Sequence, residues 1–365
     1  MNNAFQLLIT LAGVTLLFGC AQANGTMEAA ARHALRLCRG HAVLLPPAFF
    51  LLAAVLAMVG PGAILSTALV APFAMSTGAR AGVAPFLIAL MVGNGANAGN
   101  LSPFSTVGAI VVALMTRAGL GGHEFRVWFF HAAAHIAVAL FAYLCFGGLK
   151  LFRQERAEAP PVPPRLDRRQ IVTLAITGLW IGGVIALRLP LGWSALAAAS
   201  VVLLLRLASA REAVRRMPWK IIALVVSIST AVGFLERAGG LDWFQDLFAK
   251  LATAQSVHAV IAFLTGVISA YSSTSGVVLP AFLPLAPGLA ERLPGVDPLA
   301  LSISINIGSA LVDVSPLSTL GALCIAAAPK DADTRALFRN LMLWGLSMAF
   351  VGAGICYFAS PLFEA

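Results

Sequence analysis

The 365 residues are 59% hydrophobic and only 11% charged, with a mean hydropathy of +0.90, so a soluble surface could not be covered. The chain reads as an integral membrane protein, and a helical one, because Ile171–Leu187 and Leu337–Cys356 are apolar on every face rather than alternating. The net charge of +9 sits in polar gaps between apolar runs, without the interleaved aromatics of a nucleic-acid surface, and so reports membrane topology rather than nucleic-acid binding.

In chain order, Phe5–Ala23 reads as a spanning helix. Leu17-Phe18-Gly19-Cys20 imitates a lipoprotein cleavage box, but no Lys or Arg precedes the run as a signal peptide requires. A polar-tipped apolar segment follows at 43–77, then spans at 85–116 and 125–149. Lys150–Gln170, with six basic and three acidic residues and Pro160-Pro161-Val162-Pro163-Pro164, is a solvated linker. Beyond it come spans at 171–189, 192–207 and 219–236, a second polar-tipped segment at 256–287, and spans at 298–328 and 337–358. The five cysteines (Cys20, Cys38, Cys145, Cys324, Cys356) lack paired metal spacing and read as small packing residues.

The two halves repeat. Asn100-Leu101-Ser102-Pro103-Phe104-Ser105-Thr106-Val107-Gly108 and Asp313-Val314-Ser315-Pro316-Leu317-Ser318-Thr319-Leu320-Gly321 share Ser-Pro-x-Ser-Thr-x-Gly, 213 residues apart. Upstream, Ser66-Thr67-Ala68-Leu69-Val70-Ala71-Pro72 mirrors Thr274-Ser275-Gly276-Val277-Val278-Leu279-Pro280 in the same order. Residues 1–149 therefore form a first repeat, 150–170 a linker and 171–365 a second repeat. The first repeat offers no counterparts of 171–189 and 192–207, so the chain is expected to begin two helices late.

The segments 43–77 and 256–287 are too long for one crossing, carry small residues and proline at mid-segment, and read as re-entrant helical hairpins. As one straight helix, 85–116 would rise about 48 Å against a hydrocarbon core of about 30 Å, so a break is expected at Asn97–Pro103, with its partner at Gly308–Pro316. Five spans in an intact repeat force the next repeat to enter upside down. With the linker inside, 18 of the 24 Lys/Arg fall on cytoplasmic loops, as the positive-inside rule asks. The expected fold is an all-α polytopic membrane protein of two inverted-topology repeats, each with a re-entrant hairpin and a broken transmembrane helix.

That architecture describes a secondary transporter with its site where the four breaks meet near the bilayer midplane. Backbone N–H groups at the breaks favour an anion, and freed carbonyls and hydroxyls favour a small cation. The expected partners are a small anionic substrate and the lipid bilayer, with no nucleic acid; a homodimer stays open. A multi-pass place in the inner (plasma) membrane follows.

Hairpin, then helix broken at a Gly/Asn/Ser/Thr/Pro cluster, twice over, resembles the divalent-anion:sodium symporters of the ion transporter superfamily. Gly13-Val14-Thr15-Leu16-Leu17-Phe18, Ala21-Gln22-Ala23-Asn24-Gly25-Thr26 and the Gly93–Gly108 stretch look most like its malonate/C4-dicarboxylate carrier branch. The resemblance implies Ser-Asn-Thr at each hairpin tip. Here Gly60-Pro61-Gly62 offers only backbone and Ser272-Ser273-Thr274 stands at the second tip. It further implies cation sites at Asn100, Ser102, Ser105 and Thr106 and at Asp313, Ser315, Ser318 and Thr319. Asn94, Asn97 and Asn306 are expected to line the substrate cavity beside the tips Gly60, Gly62, Ser272, Ser273 and Thr274. No cofactor is implied beyond a coupling ion, Na⁺ or H⁺.

Ser, Thr and Gly also pack membrane helices without any role in transport. Recurrence of one polar set at equivalent breaks favours function for the paired clusters. Asp313 is an acid in an apolar stretch and calls for a cation, or for protonation at a helix contact. His131 and His135, four apart on one helix face, read as a packed, hydrogen-bonded pair, with a proton relay as the alternative. No nucleophile with base and acid partners, phosphate loop or haem motif appears, which leaves a membrane enzyme the weaker class. The expectation is a cation-coupled carrier of small dicarboxylates such as malonate or succinate, working by alternating access. A sodium/proton antiporter of the same superfamily and an inactive truncated relative are the alternatives.

Overall fold

The computed structural model describes residues 3–35, 42–60, 62–153, 164–187, 189–329 and 332–364, and among them every regular element is helical. In chain order these are α1 (Asn3–Ala23), α2 (Thr26–Leu35), α3 (Leu45–Met58), α4 (Ala63–Arg80), α5 (Pro85–Asn100), α6 (Thr106–Arg117), α7 (Glu124–Cys145), α8 (Arg168–Leu187) and α9 (Leu191–Leu204). There follow α10 (Ala210–Arg215), α11 (Trp219–Arg237), α12 (Gly240–Leu251), α13 (Val257–Tyr271), α14 (Leu279–Phe282), α15 (Ala286–Arg292), α16 (Pro298–Leu311), α17 (Thr319–Ala326) and α18 (Thr334–Glu364). Of the expected linker, 154–163 lies outside the described residues, as do Cys38 and Pro61.

The polypeptide is a multi-pass membrane protein of two inverted repeats. α3 and α4 make the first hairpin, α13 with α14 and α15 the second, and each packs on a broken helix, α5/α6 or α16/α17. One end of the molecule gathers Asn24, Val43, Tyr143, Gln170 and Leu207: Gln170 donates to the Asn24 carbonyl, Asn24 to that of Leu207, and Tyr143 to that of Val43. The opposite end gathers Arg126, which donates to the Phe363 carbonyl, and His258, 3.8 Å from Glu364. Hairpin one is rooted at the first end and hairpin two at the second, so the repeats run in opposite senses.

Both breaks come a few residues later than composition suggests. α5 stays helical through Asn97 and Gly99 to Asn100, and α16 through Gly308 to Leu311. The glycines serve close packing instead of unwinding: a methyl at Gly95 would stand 2.2 Å from the Phe50 carbonyl oxygen, and one at the equivalent Gly308 2.3 Å from that of Ala262. The helices stop where Pro103 and Pro316 remove a backbone donor and disfavour helix in the residue before them. The second hairpin's return arm is irregular for the same reason. Pro280, Pro284 and Pro287 divide it into a π turn at Thr274–Val278, α14, a 3₁₀ turn and α15.

Besides the short α10, two helices have no counterpart among the expected spans. α2 follows α1, and α12 follows α11 across an 87° bend, each leading into a hairpin. Both are amphipathic, so neither registers as an apolar run. α1 packs along α9, α10 and α6, and α4 touches α17 while α6 touches the return arm of hairpin two. The repeats are thereby interlocked around the breaks.

Candidate functional site

At each break a serine restarts the helix. Ser105 Oγ accepts from Gly108 N at 2.8 Å and Ser318 Oγ from Leu320 N at 3.3 Å, while the two hydroxyls donate to the carbonyls of Asn100 and Asp313 respectively. A serine cap with the same back-bond in both repeats, reaching the third residue on from Ser105 and the second from Ser318, is the three-dimensional counterpart of the Ser-Pro-x-Ser-Thr match. These hydroxyls are committed to holding the break in shape.

The residue that ends each first half-helix reaches the adjacent hairpin tip. Asn100 Oδ1 accepts from Ala63 N at 2.8 Å, and Asp313 Oδ1 accepts from Thr274 Oγ1 at 2.7 Å. Thr274 Oγ1 also lies 2.5 Å from Ser269 Oγ, so a hydroxyl chain runs from Ser269 through Thr274 to the carboxylate. Gly62 caps α4 with φ +90°, a conformation that suits glycine, and packs against the Asn100 amide. The structural pairing is Ala63 with Thr274, one turn from the sequence match of Ser66 with Thr274. Ser66 instead donates to the Ala53 carbonyl within its own hairpin.

The tips and breaks surround one cavity of about 440 Å³. Its walls include Ala63 and Ile64 of tip one, Asn100 and Thr106 of break one, Ser272–Ser275 of tip two, and Asp313, Ser318 and Thr319 of break two. The first turns of α4, α6, the Thr274–Val278 π turn and α17 thus all face the same space. The positive ends of these first turns make it favourable to negative charge. Thr106 Oγ1 is buried there without a hydrogen-bond partner.

Other expected residues stand elsewhere. Asn94, Asn97 and Asn306 are fully buried between α5, α7 and α16 and are absent from the cavity wall. Each amide is spent on a helix carbonyl: Asn94 donates to Leu90, Asn306 to Ser302, and Asn97 to Ala310, its own repeat equivalent. The bend, later than expected, leaves these three inside intact helix, which turns them from the cavity into the helix packing. Ser102, Ser105 and Ser315 are buried behind the wall, and Gly60 and Gly62 stand behind Ala63.

The wall also includes polar residues not among the expected site residues: Thr15 and Gln22 of α1, Arg216 after α10, and Tyr271 at the end of α13. Arg216 Nε donates to Glu212 at 2.9 Å and Nη1 to the Gln22 carbonyl at 3.3 Å, with its side chain 38% exposed. It brings a guanidinium to the cavity. In sequence it counts as one loop cation among five in 206–220. The Glu212 carboxyl is held below its usual range chiefly by the Arg216 hydrogen bond.

Comparison with known proteins agrees with this architecture. A crystal structure of the YdaH transporter from Alcanivorax borkumensis, described as having an unusual topology, superposes with a TM-score of 0.57 at 14% identity, covering 97% of this chain and 85% of that one. At that identity the likeness concerns the fold. No curated protein matches the sequence. The family model described as citrate transporter (CitMHS) matches residues 2–301, which include both hairpins and the first break. The chain therefore belongs to the citrate transporter family of the ion transporter superfamily, and is a secondary transporter rather than an enzyme.

Proposed function

We propose that the protein moves a small dicarboxylate of the malonate or succinate class together with a cation, by alternating access. The observation that carries this reading is the composition of the cavity wall, in which four helix first turns and Arg216 face the same space as Asp313. The first turns and the guanidinium favour carboxylates, and a bidentate arginine fork suits them geometrically. Asp313, with the carbonyls that end α5 and α16, favours a cation, and an ionised acid within the membrane requires one. A cation bound beside the anion removes charge repulsion at Asp313, which couples the two.

The basic residues support an orientation with Asn24, Gln170 and Arg216 on the cytoplasmic side of the inner membrane. In that orientation the cavity, bounded by Gln22 and Arg216, faces inward. Citrate is the substrate named for the family and is the natural competitor to the smaller acids.

Uptake of labelled malonate, succinate and citrate into proteoliposomes, with and without a sodium gradient and at several pH values, tests the reading. Gradient-driven uptake of a dicarboxylate that unlabelled dicarboxylate inhibits more strongly than citrate is expected. Uptake of citrate alone would replace the substrate class, and uptake indifferent to both Na⁺ and pH would remove the cation.

A further inference from the structure

Away from the cavity, α5, α7 and α16 enclose a buried polar cluster that the transport reading leaves unused. His131 Nε2 lies 2.9 Å from the Asn97 carbonyl oxygen, and His135 Nδ1 lies 3.0 Å from Asn94 Oδ1. The ring centroids are 4.6 Å apart. Both histidines and Asn94, Asn97 and Asn306 are fully buried.

The hydrogen-bond network fixes which atoms carry protons. A carbonyl can only accept, so His131 bears its hydrogen on Nε2. All three asparagine amides point their nitrogens at carbonyls, so each Oδ1 is an acceptor, and His135 must bear its hydrogen on Nδ1 to meet Asn94. What remains without a partner is His131 Nδ1, His135 Nε2, Asn97 Oδ1 and Asn306 Oδ1. All four are acceptors. The Asn306 backbone carbonyl also faces the His131 ring.

Buried acceptors without a donor are unfavourable. One added proton on an imidazole nitrogen supplies the missing donor. We propose that His131 and His135 form a site that binds one proton for the pair, with the Asn97 and Asn306 carbonyls and Asn94 Oδ1 as its acceptors. A second proton is opposed by like charge at the 4.6 Å ring separation. Along their lengths α5 and α16 carry no acid or base. The ionisable groups on the elements packed around α5, α7 and α16 are Arg80 on α4, Arg117 on α6, Glu124, Arg126, Tyr143 and Cys145 on α7, Lys150 after it, His258 and Tyr271 on α13, Glu291 and Arg292 on α15, Asp313 beyond α16, Cys324 on α17, and Arg335, Arg339, Cys356, Tyr357 and Glu364 on α18. No carboxylate among the described residues faces the pair, so the bound proton is held by neutral acceptors. Because Asn97 bridges α5 to Ala310 of α16, occupancy of this site acts on the contact between the repeats.

The proposal stands independently of substrate. Its test is solid-state NMR of ¹⁵N-histidine-labelled protein in lipid bilayers as pH is lowered, with H131Q and H135Q assigning the two rings. At high pH His131 should be the Nε2–H tautomer and His135 the Nδ1–H tautomer, and together they should take up one proton. Rings that stay neutral across the whole pH range in which the protein remains folded, or that take up two protons independently, would overturn it. Should a variant fail to fold, polarisation transfer from the Asn97 carbonyl carbon identifies His131 in the wild type.

Discussion

Asp313→Asn converts the second break into a copy of the first, where Asn100 already occupies the equivalent place and holds its hairpin tip through an amide oxygen. The Thr274 hydroxyl can donate to the new Oδ1 as it does to the carboxylate, so the tip contact survives. An ionised carboxylate at a helix centre costs about 2.5–3.5 kcal/mol, and a hydrogen bond to a charged group returns about 1.5–3 kcal/mol. These nearly cancel. The cation-free variant should therefore match the cation-free wild type to within about 1 kcal/mol. With the cation at a hundred times its dissociation constant, the wild type gains about 2.7 kcal/mol by linkage, a rise in Tm on the order of 5 °C. Thermal unfolding of the purified protein in NaCl and in choline chloride, across several pH values, measures both quantities. A variant that keeps the full sodium-dependent rise would refute the assignment of the cation to Asp313, whatever its transport rate.

Three further outcomes follow from the same geometry. Gly308→Ala puts a methyl 2.3 Å from the Ala262 carbonyl oxygen and should cost about 1–3 kcal/mol in unfolding measurements, as should Gly95→Ala against Phe50; wild-type melting of either would contradict the close packing. Ser105→Ala should destabilise by about 1–3 kcal/mol and Ser318→Ala by less, since Ser105 is fully buried whereas water in the cavity can replace the Ser318 hydroxyl; equal losses would argue against that distinction. Glu212→Gln should tighten dicarboxylate binding by up to about fivefold in calorimetry near neutral pH, because Glu212 competes with the anion for Arg216. The sign with pH is set by the lowered Glu212 value: the pair holds above the usual carboxylate range and is released as pH falls through the lowered one, so the advantage of the variant should vanish in acid.

The repeat is legible because Pro103 and Pro316 stand in the same Ser-Pro-x-Ser-Thr-x-Gly frame, and a proline's missing donor leaves a mark in sequence as well as in structure. The hairpins were legible by length and small residues. Gly99 and Gly308 fall inside the expected breaks and suggest unwinding, but the sequence does not reveal that a neighbouring backbone lies against them. Asn94, Asn97 and Asn306 follow from the same feature, since a helix that runs one turn further presents a different face to the cavity. Arg216 was hidden because a loop cation near an interface looks the same whether it steadies topology or lines a site. Only the fold places it beside Gln22. The amphipathic helices α2 and α12 leave no apolar run in the sequence, because each is half polar.

The near-identity of the two breaks bears on the resting state. In an inverted repeat, exchanging the conformations of the halves turns an inward-open molecule into an outward-open one. Two identical halves would make those states equal in energy. Here one tip is clamped by an amide and the other by a carboxylate, and one offers Gly60 and Gly62 where the other offers Ser272–Thr274. The degeneracy is lifted by these few groups, so the empty carrier's preference for one side of the membrane is written in the residues that differ between the repeats, while those they share set the path between the two.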